Sequence, residues 1–154
     1  MILLACSAGG HLSEMRQLEK WYSAHPHAFV TFRRPDTESL AKNETVFFIE
    51  RPGRNILRTL QSFVHAFFLI REKKPRMVIS TGADVTVPVC FWAKMHGIPI
   101  LFIESFCRTQ HASLSGKIIS RFADRVIYQW PELKKDYPSG IYAGSIFSHT
   151  GELA

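Results

Sequence analysis

Ile2-Leu3-Leu4-Ala5-Cys6-Ser7-Ala8-Gly9-Gly10-His11-Leu12 opens the chain and decides its fold. Ile2–Cys6 is a continuous apolar run, too short for a stable helix and of the length of a buried strand. It stops at four small residues, Ser7 to Gly10, that turn the chain. From His11 to Tyr22 the apolar side chains Leu12, Met15, Leu18 and Trp21/Tyr22 return at helical spacing. A strand, a glycine turn and a helix make one βα unit.

The unit recurs along the chain. Ala28–Phe32 and Val46–Ile49 read as the second and third strands, and Asn55–Lys73 as the longest helix. Met77–Ser80 is a strand ending at Thr81-Gly82, and Val85–His96 is a helix closed by Gly97 and Pro99. Ile100–Ile103 is a strand, Ser113–Phe122 a helix, Arg125–Tyr128 a strand, and Ile141–Ala143 a last short one. Uniformly apolar strands separated by helices imply a parallel sheet covered on both faces. Right-handed crossovers then give an α/β, doubly wound, Rossmann-like sheet in the order 3-2-1-4-5-6. At 154 residues the chain fits one domain, expected over 1–147 with a polar tail at 148–154.

In such a sheet, ligands bind beyond the carboxyl ends of the strands, so the residues just after each strand are the candidates. These are Ser7-Ala8-Gly9-Gly10-His11 after the first, Ser80-Thr81-Gly82-Ala83-Asp84 after the fourth, and Glu104-Ser105-Phe106 after the fifth. All three loops are small, polar or titratable, whereas the strands before them are apolar. Gly9-Gly10 allows close backbone approach to a ligand, and equally reads as a tight turn with none. His11, neutral, could accept a proton or bind a hydroxyl, or could simply cap its helix. Glu104 stands at a strand tip, either as a general base or sugar ligand or as a carboxylate satisfied within its own loop. Asp84 reads most simply as the N-cap of the helix from Val85.

Composition narrows the field. With 46% hydrophobic and 21% charged residues the chain is an ordinary globular protein. Its three cysteines, Cys6, Cys90 and Cys107, are odd in number and have no metal-ligand spacing, which suggests a reducing, cytosolic compartment and no metal. Met1 runs straight into the first strand, with no leader-like segment. The net charge of +6 suggests an anionic partner, but the basic residues are scattered and no nucleic-acid module is recognisable. The GxGxxG fingerprint is absent and Thr31-Phe32-Arg33-Arg34 supplies no acidic residue after the second strand, which disfavours dinucleotide chemistry. Gly116-Lys117 lacks the upstream glycine of a phosphate-binding P-loop.

Ser7-Ala8-Gly9-Gly10-His11-Leu12, Ser80-Thr81-Gly82-Ala83-Asp84 with Pro88, and Ile103-Glu104-Ser105, in that order, resemble the acceptor-side subunits of split polysaccharide glycosyltransferases. These are the PssD/CpsF-type proteins and the eukaryotic asparagine-linked-glycosylation-fourteen subunit. The same loops are similar to the N-terminal half of the single-chain transferase that adds N-acetylglucosamine to lipid I, and Gly140-Ile-Tyr-Ala-Gly-Ser-Ile also fits. The third loop departs from the single-chain enzyme, with Ile103-Glu104-Ser105-Phe106 in place of His-Glu-Gln-Asn.

The resemblance implies an inverting transfer from a UDP-sugar to a polyprenyl-diphosphate-linked sugar, in assembly of a capsule or exopolysaccharide. It places the chain peripherally on the cytoplasmic face of a membrane. A separate donor-binding subunit would hold the UDP-sugar, and this chain would need no cofactor of its own. His11 and Glu104 become the candidates for proton abstraction or acceptor binding, with Ser7, Gly9, Gly10, Thr81, Gly82, Asp84 and Ser105 shaping the acceptor cleft. Two alternatives remain: a non-catalytic scaffold that recruits and activates its partner, and a free-standing nucleotide- or NADP-binding oxidoreductase, supported by fold analogy alone.

The helix Asn55–Lys73 is the expected membrane contact. Ile56, Leu57, Leu60, Phe63, Val64, Phe67, Phe68 and Ile70 fall on one arc, with Leu69 outside it. Arg51, Arg54 and Arg58 crowd one end, and Arg71, Lys73, Lys74 and Arg76 the other. Phe63–Ile70 is far short of the roughly 20 residues a span requires. It would lie in the interface, with Phe63, Phe67 and Phe68 in the acyl layer and Arg54 and Arg58 on anionic headgroups.

Overall fold

The computed structural model describes residues 1–53 and 55–147, so Arg54 and the 148–154 tail lie outside the described residues. Seven parallel strands form one sheet: β1 (Ile2–Ala5), β2 (His27–Thr31), β3 (Val46–Phe48), β4 (Met77–Ser80), β5 (Ile100–Ile103), β6 (Arg125–Tyr128) and β7 (Ile141–Tyr142). Their order is β3-β2-β1-β4-β5-β6-β7, the expected doubly wound arrangement with a short seventh strand on the far edge. Side-chain alternation divides the core. Leu3 and Ala5 point to one face with Val30, Val78 and Phe102, and Leu4 and Cys6 to the other with Phe29, Ile79 and Ile103.

The first face is covered by α4 (Ile56–Lys73), α5 (Thr86–Met95) and α6 (Leu114–Ile119), the second by α1 (Gly10–Arg16) and α2 (Glu19–Tyr22). The helix expected over 11–22 is thus two. Gln17 and Leu18 donate to Glu14 and Met15, three residues back, and this tightening ends α1. A six-residue helix, α3 (Pro35–Leu40), was not legible, being too short for an apolar period. It starts on Pro35, with the Arg34 N–H donating to Thr37 Oγ1 at 2.9 Å.

On α4 the largest apolar side chains face outward. Its buried stripe is Ser62, Ala66, Leu69 and Ile70, so Leu69, expected off the apolar arc, is a core residue. That stripe combines two small residues with Leu69 and Ile70. Ile56 (86% exposed), Leu57, Leu60, Val64 and Phe68 are left in solvent. Phe63 and Phe67 are half-buried and turned toward α5: Phe63 meets Phe91 at 5.6 Å and Phe67 meets Trp92 at 4.8 Å between ring centroids. Trp92 Nε1 donates to the Phe63 carbonyl and locks this helix pair. Of the three expected lipid-facing phenylalanines only Phe68 is exposed, because the other two serve helix packing. Among the described residues no helix is long and apolar enough to cross a membrane.

Candidate functional site

The three polar loops meet because their strands are neighbours in near-level register: Ala5 pairs with Ser80, and Ser80 with Phe102. A reciprocal pair of hydrogen bonds ties the first loop to the second. His11 Nδ1 donates to the Thr81 carbonyl at 2.7 Å, and Thr81 Oγ1 donates to the His11 carbonyl at 3.0 Å. A carbonyl only accepts, so Nδ1 carries a proton, and Nε2 is the ring atom left to take one up or give one up. Gly82 (φ 96°) and Ala83 (φ 81°) take left-handed conformations that bring this loop against α6, where the Ala83 N–H donates to Ser115 Oγ. A Cβ on Gly82 would meet Ser115 Oγ and His11 Cε1 only at ordinary contact distance, so it is the left-handed backbone, φ 96°, that favours glycine here.

Between these loops, α4, α5 and α6 lies a cavity of about 530 Å³, within the range of small-ligand sites. Gly10, His11, Glu14, Asp84 and Ser105 line it, with Ser113, Ser115 and Arg108. Phe63, Val87, Pro88, Leu114 and Ile118 supply apolar wall. Leu114 (76% exposed) and Ile118 also belong to the outer surface, as do Phe91 and Met95 of α5, which packs between α6 and α4. The polar end of the cavity and the apolar face of the protein are therefore continuous.

Of the other expected site residues, Ser7, Gly9 and Thr81 stand apart from the cavity, while Asp84 lines it in a role other than the expected cap. Ser7 is buried, with its hydroxyl on the Ala8 carbonyl, and Thr81 is buried in the loop lock. Gly9 (φ 78°) is exposed and donates its N–H to Asp36 of α3 at 2.7 Å. Asp84 is not the N-cap of α5, whose capping position is Val85 with no side-chain bond. Its carboxylate instead accepts from the Val85 and Gly53 N–H groups and lies 3.5 Å from Arg51, fastening the 51–53 segment over the cavity. Arg58 is exposed and 3.7 Å from Glu50.

Glu104 does not line the cavity. It is fully buried, and every bond it makes is to its own surroundings. Oε1 accepts from the Ser105 N–H at 2.9 Å. Oε2 accepts from the Ser113 N–H at 2.9 Å, from Ser113 Oγ at 3.1 Å and from the Tyr137 hydroxyl. Of the two readings open in the sequence, the geometry is that of the satisfied carboxylate, holding the loop after β5 onto α6. Burial and Glu104 together raise the Tyr137 hydroxyl above the usual phenol range, so it remains a donor to that carboxylate.

Besides Asp84, the carboxylate lining the cavity is Glu14, one helical step from His11 on α1 and only 2% exposed. Its Oε1 accepts from Ser105 Oγ at 2.8 Å and the Phe106 N–H at 3.1 Å. Its Oε2 is buried without a partner among the described residues. Burial pushes this carboxyl above its ordinary range, and the Ser105 bond and His11 pull it partly back. Glu14 was missed because it sits in a helix, not in a loop after a strand. The signal present in the sequence was the spacing His11-Leu12-Ser13-Glu14, which sets both side chains on one helix face. Cys6 and Cys90, buried thiols pushed up to about 12, take no part.

The chain has the fold of one Rossmann-like half of a two-domain transferase. It superposes on MurG of Acinetobacter baumannii with a TM-score of 0.71 at 17% identity, covering 92% of this chain and 43% of that one. A UDP-N-acetylglucosamine 2-epimerase of Rickettsia bellii superposes with a TM-score of 0.69 at 13% identity, covering 87% and 40%. The chain thus spans about two fifths of these solved structures. Residues 51–146 match the family described as "Oligosaccharide biosynthesis protein Alg14 like". The human protein named UDP-N-acetylglucosamine transferase subunit ALG14 is 31% identical, the match covering 94% of this chain and 82% of that one. Its rat counterpart is 39% identical over the same shares. The chain belongs to the Alg14-like family of oligosaccharide biosynthesis proteins.

Proposed function

We propose that the chain is the acceptor-binding subunit of a two-chain inverting glycosyltransferase, taking a sugar from a UDP-sugar to a polyprenyl-diphosphate-linked sugar at a membrane surface. The observation that carries this reading is the continuity of the cavity. One end is lined by His11 among polar groups, and the other by Leu114 and Ile118, which are also exposed at the surface. An acceptor with a sugar at one end and a lipid at the other fits that gradient. A water-soluble sugar would not need the apolar wall.

In the reaction, the acceptor hydroxyl oxygen attacks the anomeric carbon as His11 Nε2 removes its proton. The bond from that carbon to the UDP oxygen breaks, and the electron pair leaves with UDP. Thr81 keeps the ring oriented through Nδ1–H, so the imidazolium formed retains its carbonyl partner. Glu104, satisfied within the protein, acts here as a positioning residue.

The donor belongs to a partner chain. The described residues form one Rossmann-like half, and the human relative is named as a subunit. Calorimetry of the purified chain with a panel of UDP-sugars is expected to give no binding tighter than about millimolar, and assay without the partner no transfer. Micromolar donor binding or turnover by this chain alone contradicts the subunit reading.

The membrane contact we propose is the outward face of α4, α5 and α6. Six of its side chains, Ile56, Leu57, Leu60, Phe68, Met95 and Leu114, are each at least 60% exposed, and basic residues flank α4 at both ends. Exposed apolar patches of this kind, rimmed by charge, mark interaction surfaces. The protein is expected to sediment with vesicles containing anionic lipid. The double variant Leu60→Glu/Phe68→Glu should abolish sedimentation, and Arg58→Glu should weaken it most at low salt, because exposed charge is screened over about 8 Å at physiological ionic strength. Undiminished sedimentation of the double variant removes this face from the membrane.

A further inference from the structure

We infer that Glu14 is the residue that recognises the acceptor: its free Oε2 accepts a hydrogen bond from a hydroxyl or amide N–H of an uncharged sugar, and this contact selects the hydroxyl offered to His11. The inference rests on the glycosyltransferase reading above and goes beyond it by assigning the deep end of the cavity to a polyhydroxylated group.

The two buried carboxylates are unequally satisfied. A buried carboxylate ordinarily has both oxygens satisfied, as Glu104 does with its bonds to Ser105, Ser113 and Tyr137. Glu14 has two donors on Oε1 and none on Oε2. Nor is it placed to help the fold by pairing with a cation, since no guanidinium or ammonium is bonded to it among the described residues. A carboxylate that the fold leaves half-satisfied, at the wall of a ligand-sized cavity, is an acceptor kept for a ligand donor.

The charges around it decide which end of the acceptor enters. The titratable groups facing this part of the cavity are His11 on the same helix, Glu104 behind the wall, Asp84 in the loop after β4, and Cys107 and Arg108 in the loop after β5. Arg108 is the only ammonium or guanidinium among the described lining residues. A diphosphate beside Glu14 would place like charges together, whereas a sugar ring offers a hydroxyl donor to the one free oxygen, Oε2. The sugar therefore enters toward Glu14 and His11, and the diphosphate stays on the Arg108 side. Ser105 connects the two buried carboxylates: its N–H is held by Glu104 and its hydroxyl holds Glu14 Oε1, which fixes the direction in which Oε2 points.

The first measurement needs no substrate. A carboxyl whose folded-state pKa is raised holds its proton more tightly in the fold than in the unfolded chain, so it weakens the fold as pH climbs through that interval. Glu14→Gln removes the charge and keeps an oxygen for Ser105. The denaturation midpoint of E14Q is expected to exceed wild type at about pH 8, with the gap closing toward about pH 4, near the unfolded-chain value of glutamate. A midpoint at or below wild type at both pH values makes Glu14 a carboxylate the fold needs, and overturns the inference.

The second measurement uses the two-chain complex with radiolabelled UDP-sugars, and membranes of the source organism as the source of acceptor. At limiting membrane, E14Q is expected to lower transfer roughly 10- to 100-fold, the range for one hydrogen bond to a charged group, and Glu14→Asp less. Raising the amount of membrane should restore most of the E14Q rate and none of the His11→Ala rate. An E14Q complex with wild-type half-saturation overturns the recognition role, whether its limiting rate is normal or low. Absence of transfer by the wild-type complex with every UDP-sugar sinks the glycosyltransferase reading instead, and leaves the pH-dependent stability to judge Glu14.

Discussion

Replacing His11 by alanine is expected to lower the limiting rate of sugar transfer by the assembled complex roughly 10²-fold or more, the lower range for loss of a general base. The expectation comes from how the ring is held. Its Nδ1–H is committed to the Thr81 carbonyl, which fixes the tautomer, and its Nε2 is left for the cavity. Binding of acceptor should survive the change, because the sugar's other contacts remain. The rate loss should therefore persist at saturating acceptor. The fold should survive as well: Thr81 still donates its hydroxyl to the residue-11 carbonyl, a bond that does not depend on the side chain. Initial rates at saturating acceptor are the measurement, with circular dichroism and co-purification of the two chains alongside. A rate within a few-fold of wild type removes His11 from the chemistry. A rate lost only because the chains no longer associate favours the scaffold alternative, in which this chain recruits and activates its partner.

Much of this architecture was legible because parallel strands buried on both faces leave little choice of sequence. Met77–Ser80, Ile100–Ile103 and Arg125–Tyr128 appear with the bounds expected of them, each an apolar run between polar breaks. The strand order followed from the right-handed crossover rule. Where the local signal was weak the reading failed. The α1–α2 break rests on two i+3 hydrogen bonds that no periodicity announces, and α3 is shorter than two helical turns.

The site was legible by position and less so by role. Loops after the first, fourth and fifth strands do converge, since adjacency in a parallel sheet guarantees it. Which carboxylate faces the ligand depends on contacts from distant segments. Glu104 is claimed by Ser113 and Tyr137, nine and thirty-three residues away, and no local pattern foretells those partners. Glu14 is left half-claimed because Ser105 and Phe106, some ninety residues on, reach only one of its oxygens. The helix α4 illustrates the same limit in packing. The expected arc joined Ile70 to Phe68 and left Leu69 off it, whereas Leu69 and Ile70 both face the core with Ser62 and Ala66, because helical spacing alone does not say which side of an apolar helix meets its neighbours. The core takes Ser62, Ala66, Leu69 and Ile70, α5 takes one side of Phe63 and Phe67, and Ile56, Leu57, Leu60, Val64 and Phe68 are turned out.

Glu104→Ala is expected to destabilise the protein by about 3 kcal/mol or more, an effect on the fold before any on chemistry. Four donors would lose this acceptor in a region without solvent: the Ser105 N–H, the Ser113 N–H and hydroxyl, and the Tyr137 hydroxyl. Each unsatisfied buried group costs about 1–3 kcal/mol, and the side chain leaves a void besides. Against a total stability of about 5–15 kcal/mol for a domain, such a loss is large. Glu104→Gln should fall between, because the amide oxygen can replace one carboxylate oxygen while its NH₂ confronts donors on the other side. Gly116 gives an independent test of the same cluster. A Cβ there would overlap the Tyr137 hydroxyl and the Glu104 carboxylate, and would stand 2.8 Å from Ser113 Oγ, so Gly116→Ala should also destabilise strongly. Urea denaturation followed by circular dichroism measures all three variants. The loop after β5 should loosen with them: Ser105 would no longer be held by Glu104, Glu14 would lose its orientation, and sugar transfer would fall even where the folded state persists. A Glu104→Ala protein within about 0.5 kcal/mol of wild type, yet inactive, would return Glu104 from the scaffold to the chemistry.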